Sequence, residues 1–407
     1  MRGCLLLAGS LAVATILSAC EPAPDPHPSP SASAPEWVRL PGGPGTDAAF
    51  GAVATAGGTL YIAGVTEGAL DGPNRGEADA FLSAYAADGR QLMLHQFGTA
   101  GRDSAFGIAG GSSGVYVAGI TFGALGGTFG GAYDAFVVAF SLDGTERWKA
   151  QIGTAEREYA SSVAVDAQAN VYITGDTFGD LGGPNAGAAD AYVTRLGPDG
   201  RRMWTQQLGG PGGEVAKGIA VGPSGTVFIA GQTDDDLGAG FAGQSDAFLV
   251  AYDRDGKRLW TQQLGTSAVD YANAVATDAN GNVFVTGITE GDLLTPNAGG
   301  VDVFVAAYDP GGNRLWAHQL GTPTDEQANA IAVGADGGPC IAGSGAADAF
   351  VTCYDATGHP RWTQRWSGPG IDLARGVACA GDAVWIAGQT AAGDDHGVDT
   401  LVAKYRR

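Results

Sequence analysis

The hexapeptide WTQQLG occurs twice in this chain, at residues 204–209 and 260–265, and WAHQLG follows at 316–321. The three copies are spaced 56 residues apart. A period of that size constrains the fold more than any bulk property, because each copy must be one supersecondary unit that buries its apolar face against the next. Counting the residue five after the Trp position gives Gly42, Gly98, Gly153, Gly209, Gly265, Gly321 and Ser367, so the unit is written seven times.

Each copy runs through four short apolar segments separated by turn residues, the pattern of a four-stranded meander. The first segment is slim, as in AKGIAV (216–221), and the second is aromatic and β-branched, as in VYITG (171–175). The third opens with Asp and an aromatic, as in DAFVVAF (134–140). Asp-Gly then recurs (Asp88-Gly89, Asp143-Gly144, Asp199-Gly200, Asp255-Gly256), which predicts two-residue hairpins. The fourth segment carries Trp148, Trp204, Trp260, Trp316 or Trp362, with Met93 in one copy.

These units predict an all-β fold, a seven-bladed β-propeller of four-stranded blades. Slim first strands suit the crowded axis, and bulky outer strands fill the widening gaps between blades. The chain ends sharpen the expectation. Asp opens a third strand seven times, at Asp79, Asp134, Asp190, Asp246, Asp302, Asp348 and Asp399, but after Asp399 the chain stops without a fourth strand. The missing strand stands at the other end, where Trp37 is followed five residues later by Gly42. The N-terminal strand is therefore expected to complete the last blade and close the ring, removing two open sheet edges.

The repeats resemble the SBBP family of β-propeller repeats, whose copies read roughly Asp-Ala-Phe, Asp-Gly-Asn, Leu-Trp, Leu-Gly-Gly, Ala-Val-Asp and Val-Tyr-Val-Thr-Gly. DAYVTRLGPDGRRMWTQQLGG (190–210) followed by KGIAVGPSGTVFIAGQT (217–233) is similar in order and spacing, and the resemblance extends over residues 36–407. It implies a fold and an exported protein, and it brings no reaction with it. The fourth segments also resemble the tryptophan-docking repeat of quinoprotein dehydrogenases. Those propellers have eight blades and long cofactor-bearing insertions, which this sequence lacks.

The first residues read as a targeting signal. Arg2 precedes an apolar stretch from Leu5 to Leu17, ending in Leu17-Ser18-Ala19-Cys20, a bacterial lipobox pattern. Residues 1–19 are expected to be a lipoprotein signal peptide and Cys20 the lipidated residue; an ordinary secretory signal cut near Ala19 is the alternative. Residues 20–35 alternate Pro with small polar residues and read as an extended tether, leaving 36–407 as the propeller. The expected location is an envelope membrane, and Glu21 after the lipid cysteine points to the outer membrane or cell surface rather than the inner. Net charge is −21, which disfavours nucleic acid and anionic lipid headgroups, so the membrane is engaged only through the lipid and the molecule is expected to be a monomer. Cys340 and Cys353 fall on neighbouring strands and can pair as a disulfide, or serve with Cys379 as buried apolar filler.

Loops after second and fourth strands share one face, and those after second strands are long, so a binding surface is expected there. An acid stands five residues past each landmark: Asp47, Asp103, Glu158, Glu214, Asp270, Glu326 and Asp372. Such a ring could hold a cation at the channel mouth, with Ca²⁺ the natural match to carboxylate oxygens. Alternatively each acid accepts hydrogen bonds from loop amides and a nearby Thr. The sixth copy lacks about ten loop residues, and Asp394, Asp395 and His396 are expected to border the resulting notch, as a ligand site or as a solvated acidic loop. No His-Glu-x-x-His or Cys-x-x-Cys motif is present, and the one Gly-x-Ser-x-Gly match, residues 110–114, joins a first to a second strand segment rather than forming a strand-to-helix nucleophile elbow. The expected role is a non-catalytic platform for an envelope protein or polysaccharide, with no resident cofactor. The alternative is a small hydrolase or lyase working at the notch.

Overall fold

A computed structural model describes residues 34–368, 370–391 and 397–407. Its regular elements are twenty-eight strands, and no helix occurs among the described residues. Each unit is an antiparallel meander. In the third, Glu158–Val165, Val171–Thr177, Asp190–Leu196 and Arg202–Leu208 pair in that order. Five such sheets stand alone. The first unit (Gly45–Ala54 to Gln91–Phe97) and the last (Asp372–Ala380, Ala383–Ala391, Gly397–Arg406) merge into one eight-stranded sheet that also takes in Trp37–Arg39. The fold is an all-β propeller of packed four-stranded sheets.

The junction explains the merger. Residues before the third-strand Asp and before the next unit's acid form short parallel bridges, as Ala78↔Arg102, Tyr133↔Arg157 and Ala189↔Gly213. Between the last unit and the first, the equivalent Val398↔Thr46 bridge is extended by Gly397↔Gly45. Trp37–Arg39 pairs antiparallel with the last strand, Trp37 opposite Lys404.

The Trp, the second Gln and the Gly of the repeated hexapeptide each have a structural task. The Trp204 indole donates its Nε1–H to the Arg254 carbonyl at 3.1 Å, in the hairpin turn of the following unit. Trp148, Trp260 and Trp37 do the same with Pro198, Pro310 and Ala87, each fifty residues ahead. Each indole lies against the glycine of the turn it reaches, as Trp204 does against Gly256 (φ +85°). The second Gln stitches the long loop to the sheet: Gln207 Nε2 donates to Asp190 Oδ2 (2.8 Å) and to the Gly179 carbonyl (3.1 Å). Its Oε1 accepts from the Leu181 and Gly182 amides. The final Gly makes room for that Asp, since a Cβ on Gly209 would come within 2.0 Å of Asp190 Oδ1. Trp362 has no partner for its buried indole N–H among the described residues, because the last unit has no turn after its third strand.

One expectation is modified. The Asp-Gly turns are five-residue connections, not two-residue hairpins: Asp253 N–H donates to the Lys257 carbonyl and Gly256 N–H to the Asp253 carbonyl. Gly256 takes its positive φ (+85°) within that turn, and the ladder slip between Ala251 and Tyr252 leaves Leu259 as the bulged residue just beyond it. In the sixth unit the long loop is replaced by Ala346-Ala347 between Gly345 and Asp348, with both alanines at positive φ (50° and 72°).

Candidate functional site

The seven acids are buried, none more than 3% exposed. Each accepts the backbone N–H of the residue four before it: Gly43, Thr99, Thr154, Gly210, Thr266 and Thr322 donate at 2.5–2.8 Å, and Gly368 donates to Asp372. Threonine hydroxyls add to this, Thr177 to Glu158 and Thr233 to Glu214 at 2.9 Å each. The acids thus anchor the turn into each innermost strand. Burial raises the pKa of Asp47, Asp103 and Glu214 against the lowering effect of these donors. Among the described residues no three His, Cys, Asp or Glu side chains converge as a metal site. If the acids act as anchors, the unfolding midpoint will be the same in EDTA and in millimolar Ca²⁺; a rise of several degrees with the ion would restore the cation ring.

Cys340 and Cys353 lie directly opposite in antiparallel register and are joined as a disulfide, while Cys379 is a free thiol whose pKa burial pushes up to about 12. Asp394, Asp395 and His396 lie outside the described residues, as do Cys20 and the signal segment.

Three residues after each acid the innermost strand bulges. In the fourth unit Ala216 opposes Gly231 and Gly218 opposes Ala230, leaving Lys217 without a cross-strand partner. The same slip occurs in all seven innermost strands. The residues before and after the bulge are small because neighbouring strands nearly touch there; a Cβ on Gly218 would stand 2.9 Å from the Val275 nitrogen. The bulged residues of the seven innermost strands together line one channel. In chain order they are Phe50, Phe106, Ser161, Lys217, Asn273, Asn329 and Arg375.

At the long-loop end this channel opens into a cavity of about 370 Å³, within the range of ordinary small-molecule sites. Its wall has two unlike arcs. On one, Phe50 meets Phe106 edge-on (5.3 Å between centroids) and Phe106 stacks on Tyr159 (4.7 Å, 22°). Ring contacts continue outward from Tyr159 to Tyr133 (6.5 Å) and to the exposed Phe122 (5.3 Å). On the other arc stand Lys217, Asn273, Asn329 and Arg375. Lys217 Nζ donates to Asn273 Oδ1 (3.3 Å) and lies 4.2 Å from the Tyr271 ring. Asn273 and Asn329 donate to the Ala328 and Ala374 carbonyls, which fixes their amides. Arg375 donates to Gln389 Oε1 (3.2 Å) and lies over Phe50 (5.0 Å).

The electrostatics follow from burial. Lys217 has no carboxylate partner among the described residues, and desolvation lowers its pKa to about 8. Arg375 is lowered for the same reason. Asp176, opposite Tyr159 in the ladder and also lining the cavity, is raised to about 6 by burial, which the Arg157 charge only partly offsets. Burial also raises the Tyr159 hydroxyl above its ordinary value. A cavity with two cations unpaired among the described residues at one arc, and three aromatic rings beside Asp176 at the other, suits a ligand that is flat and apolar on one side and negative on the other. Reading the sequence for rings of identical residues missed it; the signal was a column of the repeat, one place after the recurrent Ala, where identity fails.

Fold and site together define a β-propeller with a ligand-sized cavity at its channel mouth. The chain carries SBBP repeats: that family's model, a beta-propeller repeat, matches residues 147–182 and 259–294. It is similar to the regulatory protein FlaEY of Caulobacter vibrioides, 26% identical over 201 residues, 45% of this chain and 21% of that one. The chain spans about a fifth or less of the curated relatives it matches. Among solved structures it is similar in fold to YCF48 bound to a peptide, with TM-score 0.53, 11% identity, and 96% of this chain and 100% of that one covered. It is likewise similar to the polysaccharide lyase Uly1, with TM-score 0.53, 10% identity, and 88% and 89% covered.

Proposed function

We propose that this protein is a lipid-anchored envelope propeller that binds a ligand, polysaccharide or protein, in the channel mouth on its long-loop face, without turning it over. One observation carries the reading: seven equivalent bulge positions on a near-identical scaffold hold a non-repeating set of side chains around one cavity. A scaffold alone has no use for Lys217 and Arg375 half-buried without counter-ions among the described residues, since an unpaired desolvated charge costs stability. The proposal includes a ring of seven blades closed by the N-terminal strand. It is supported by the fifty-residue Trp37–Ala87 bond, by the Glu36 ion pairs to Lys404 (2.8 Å) and Arg406 (3.0 Å), and by the lining of one channel by seven innermost strands.

Proteins of similar fold include a lyase and a peptide binder, so fold leaves both classes open. The wall of the cavity favours binding through its cations, held beside amides and aromatic faces, while Asp176 with its raised pKa lines the same cavity and is the feature that keeps the lyase alternative open. The test is binding of the labelled protein to a glycan array and to envelope fragments, with Phe106→Ala and Asn329→Ala at the mouth compared with Val165→Ala at the far end of the channel. Loss with the mouth variants alone is expected. Equal binding by all variants would move the site elsewhere, and release of new sugar ends would favour the lyase alternative. In the same preparation Cys20→Ser is expected to shift the protein from the membrane to the soluble exported fraction; retention would refute the anchor.

A further inference from the structure

Given the channel-mouth reading, on which this rests, we infer that the ligand is an acidic sugar: a pyranose ring that stacks on the Phe50–Phe106–Tyr159 arc while its carboxylate or sulfate faces the Lys217–Asn273–Asn329–Arg375 arc. A pyranose presents a C–H face to an aromatic ring and hydroxyls at its rim. The Asn329 amide, fixed through its nitrogen on the Ala374 carbonyl, leaves Oδ1 to accept from such a hydroxyl, and Ser161 stands between the arcs. Neither cation has a carboxylate partner among the described residues, so an anion arriving from outside meets donors that are already partly desolvated.

Size and charge narrow the ligand further. The cavity is large enough for one or two sugar rings, and the aromatic contacts run on from Tyr159 to Tyr133 and exposed Phe122, a path for neighbouring residues of a chain. A net charge of −21 on the rest of the molecule repels a long polyanion, so the negative residue that enters the mouth should belong to an otherwise sparsely charged oligosaccharide or to its end. An acidic peptide would satisfy the cations but has no use for three aromatic faces in sequence.

The experiment is titration calorimetry of the full-length protein with four probes: trigalacturonate, a sulfated trisaccharide, maltotriose and pentaglutamate. Binding of either anionic sugar, roughly tenfold or more tighter than maltotriose and weakened by salt, is the expected result, and which of the two binds better identifies the anionic group. Lys217→Met and Arg375→Met should each weaken it by roughly tenfold to a hundredfold, and Phe106→Ala should weaken both anionic and neutral sugars, with the fold checked by circular dichroism. Equal affinity for maltotriose, pentaglutamate binding as tightly as the acidic sugars, or no binding of any probe would overturn the inference. If mouth variants still abolish binding of an array glycan or envelope protein, the channel-mouth reading survives that failure; if they do not, both fall.

Discussion

Replacing Lys217 by Met is expected to stabilise the folded protein by about 2–3 kcal/mol at pH 7 while removing its affinity for anions. The side chain is half-buried, has no carboxylate partner among the described residues, and its pKa is lowered to about 8 from 10.5. Folded, it holds its proton less tightly than it does unfolded. Below about pH 8 it is charged in both states and the full desolvation penalty applies. Between about 8 and 10.5 the unfolded chain carries the extra proton at this position, so the penalty from Lys217 fades and the gap to Lys217→Met closes. Tyr271, Tyr159 and the other tyrosines raised by burial lower stability as pH approaches 10, but they do so in both proteins, and Asp176 titrates near 6, so the difference between the two reports Lys217. Urea unfolding of both proteins at pH 7 and pH 10 measures the difference. A Met variant less stable than wild type at pH 7 would make Lys217 a packing residue, held for its contact with the Tyr271 ring, and would remove the case for a binding role.

A protein that retains a destabilising group at one of seven equivalent positions illustrates where sequence reasoning succeeds and where it stops. The repeat was legible because its chemistry is local and identical in every copy. The Trp, Gln and Gly of one hexapeptide each make a bond or allow a close approach that recurs at a fixed offset, so periodicity alone reports them. The site was not legible in the same way. Its residues are four or five dozen positions apart and chemically unlike, and they meet only because the sheets are arranged around an axis. Their column, Phe50 to Arg375, lies one place after an invariant Ala and was hidden by it. The acids were conspicuous for the opposite reason. They recur because each turn needs the same anchor: Glu158 is bound to three donors, while Asp47, Asp103, Asp270 and Asp372 each use one oxygen on the turn and keep a buried Oδ1 without a partner among the described residues. In a repeat protein, constancy marks scaffold and the odd column marks function.

The joint between the chain ends gives the second large effect. Trp37→Ala is expected to destabilise the protein by about 2–3 kcal/mol, the same as Trp204→Ala within about 0.5 kcal/mol. Trp204 links two sheets in the middle of the chain, through its bond to Arg254 and its packing on Gly256 and Tyr172. Trp37 makes the same bond and glycine contact across the ends, to Ala87 at 3.0 Å and against Gly89, while its ring contact, with Tyr85 at 6.4 Å, is to the third strand of the next unit where that of Trp204 is to its own sheet. Both indoles are half-buried, so each removal exposes similar apolar area and leaves a similar carbonyl unpaired. The comparison separates a closed ring from an open one. In a ring, the strand Trp37–Arg39 covers the edge of Gly397–Arg406 and every sheet has two neighbours, so loss of either Trp weakens one joint of seven. In an open array the N-terminal strand would be an appendage that frays before the rest, and Trp37→Ala would change the global transition by less than about 0.5 kcal/mol. Urea unfolding followed by tryptophan fluorescence decides between them: equal shifts in midpoint mean that the joint across the chain ends carries the fold as the one at Trp204 does, and a silent Trp37→Ala would mean that the ring is open at its ends.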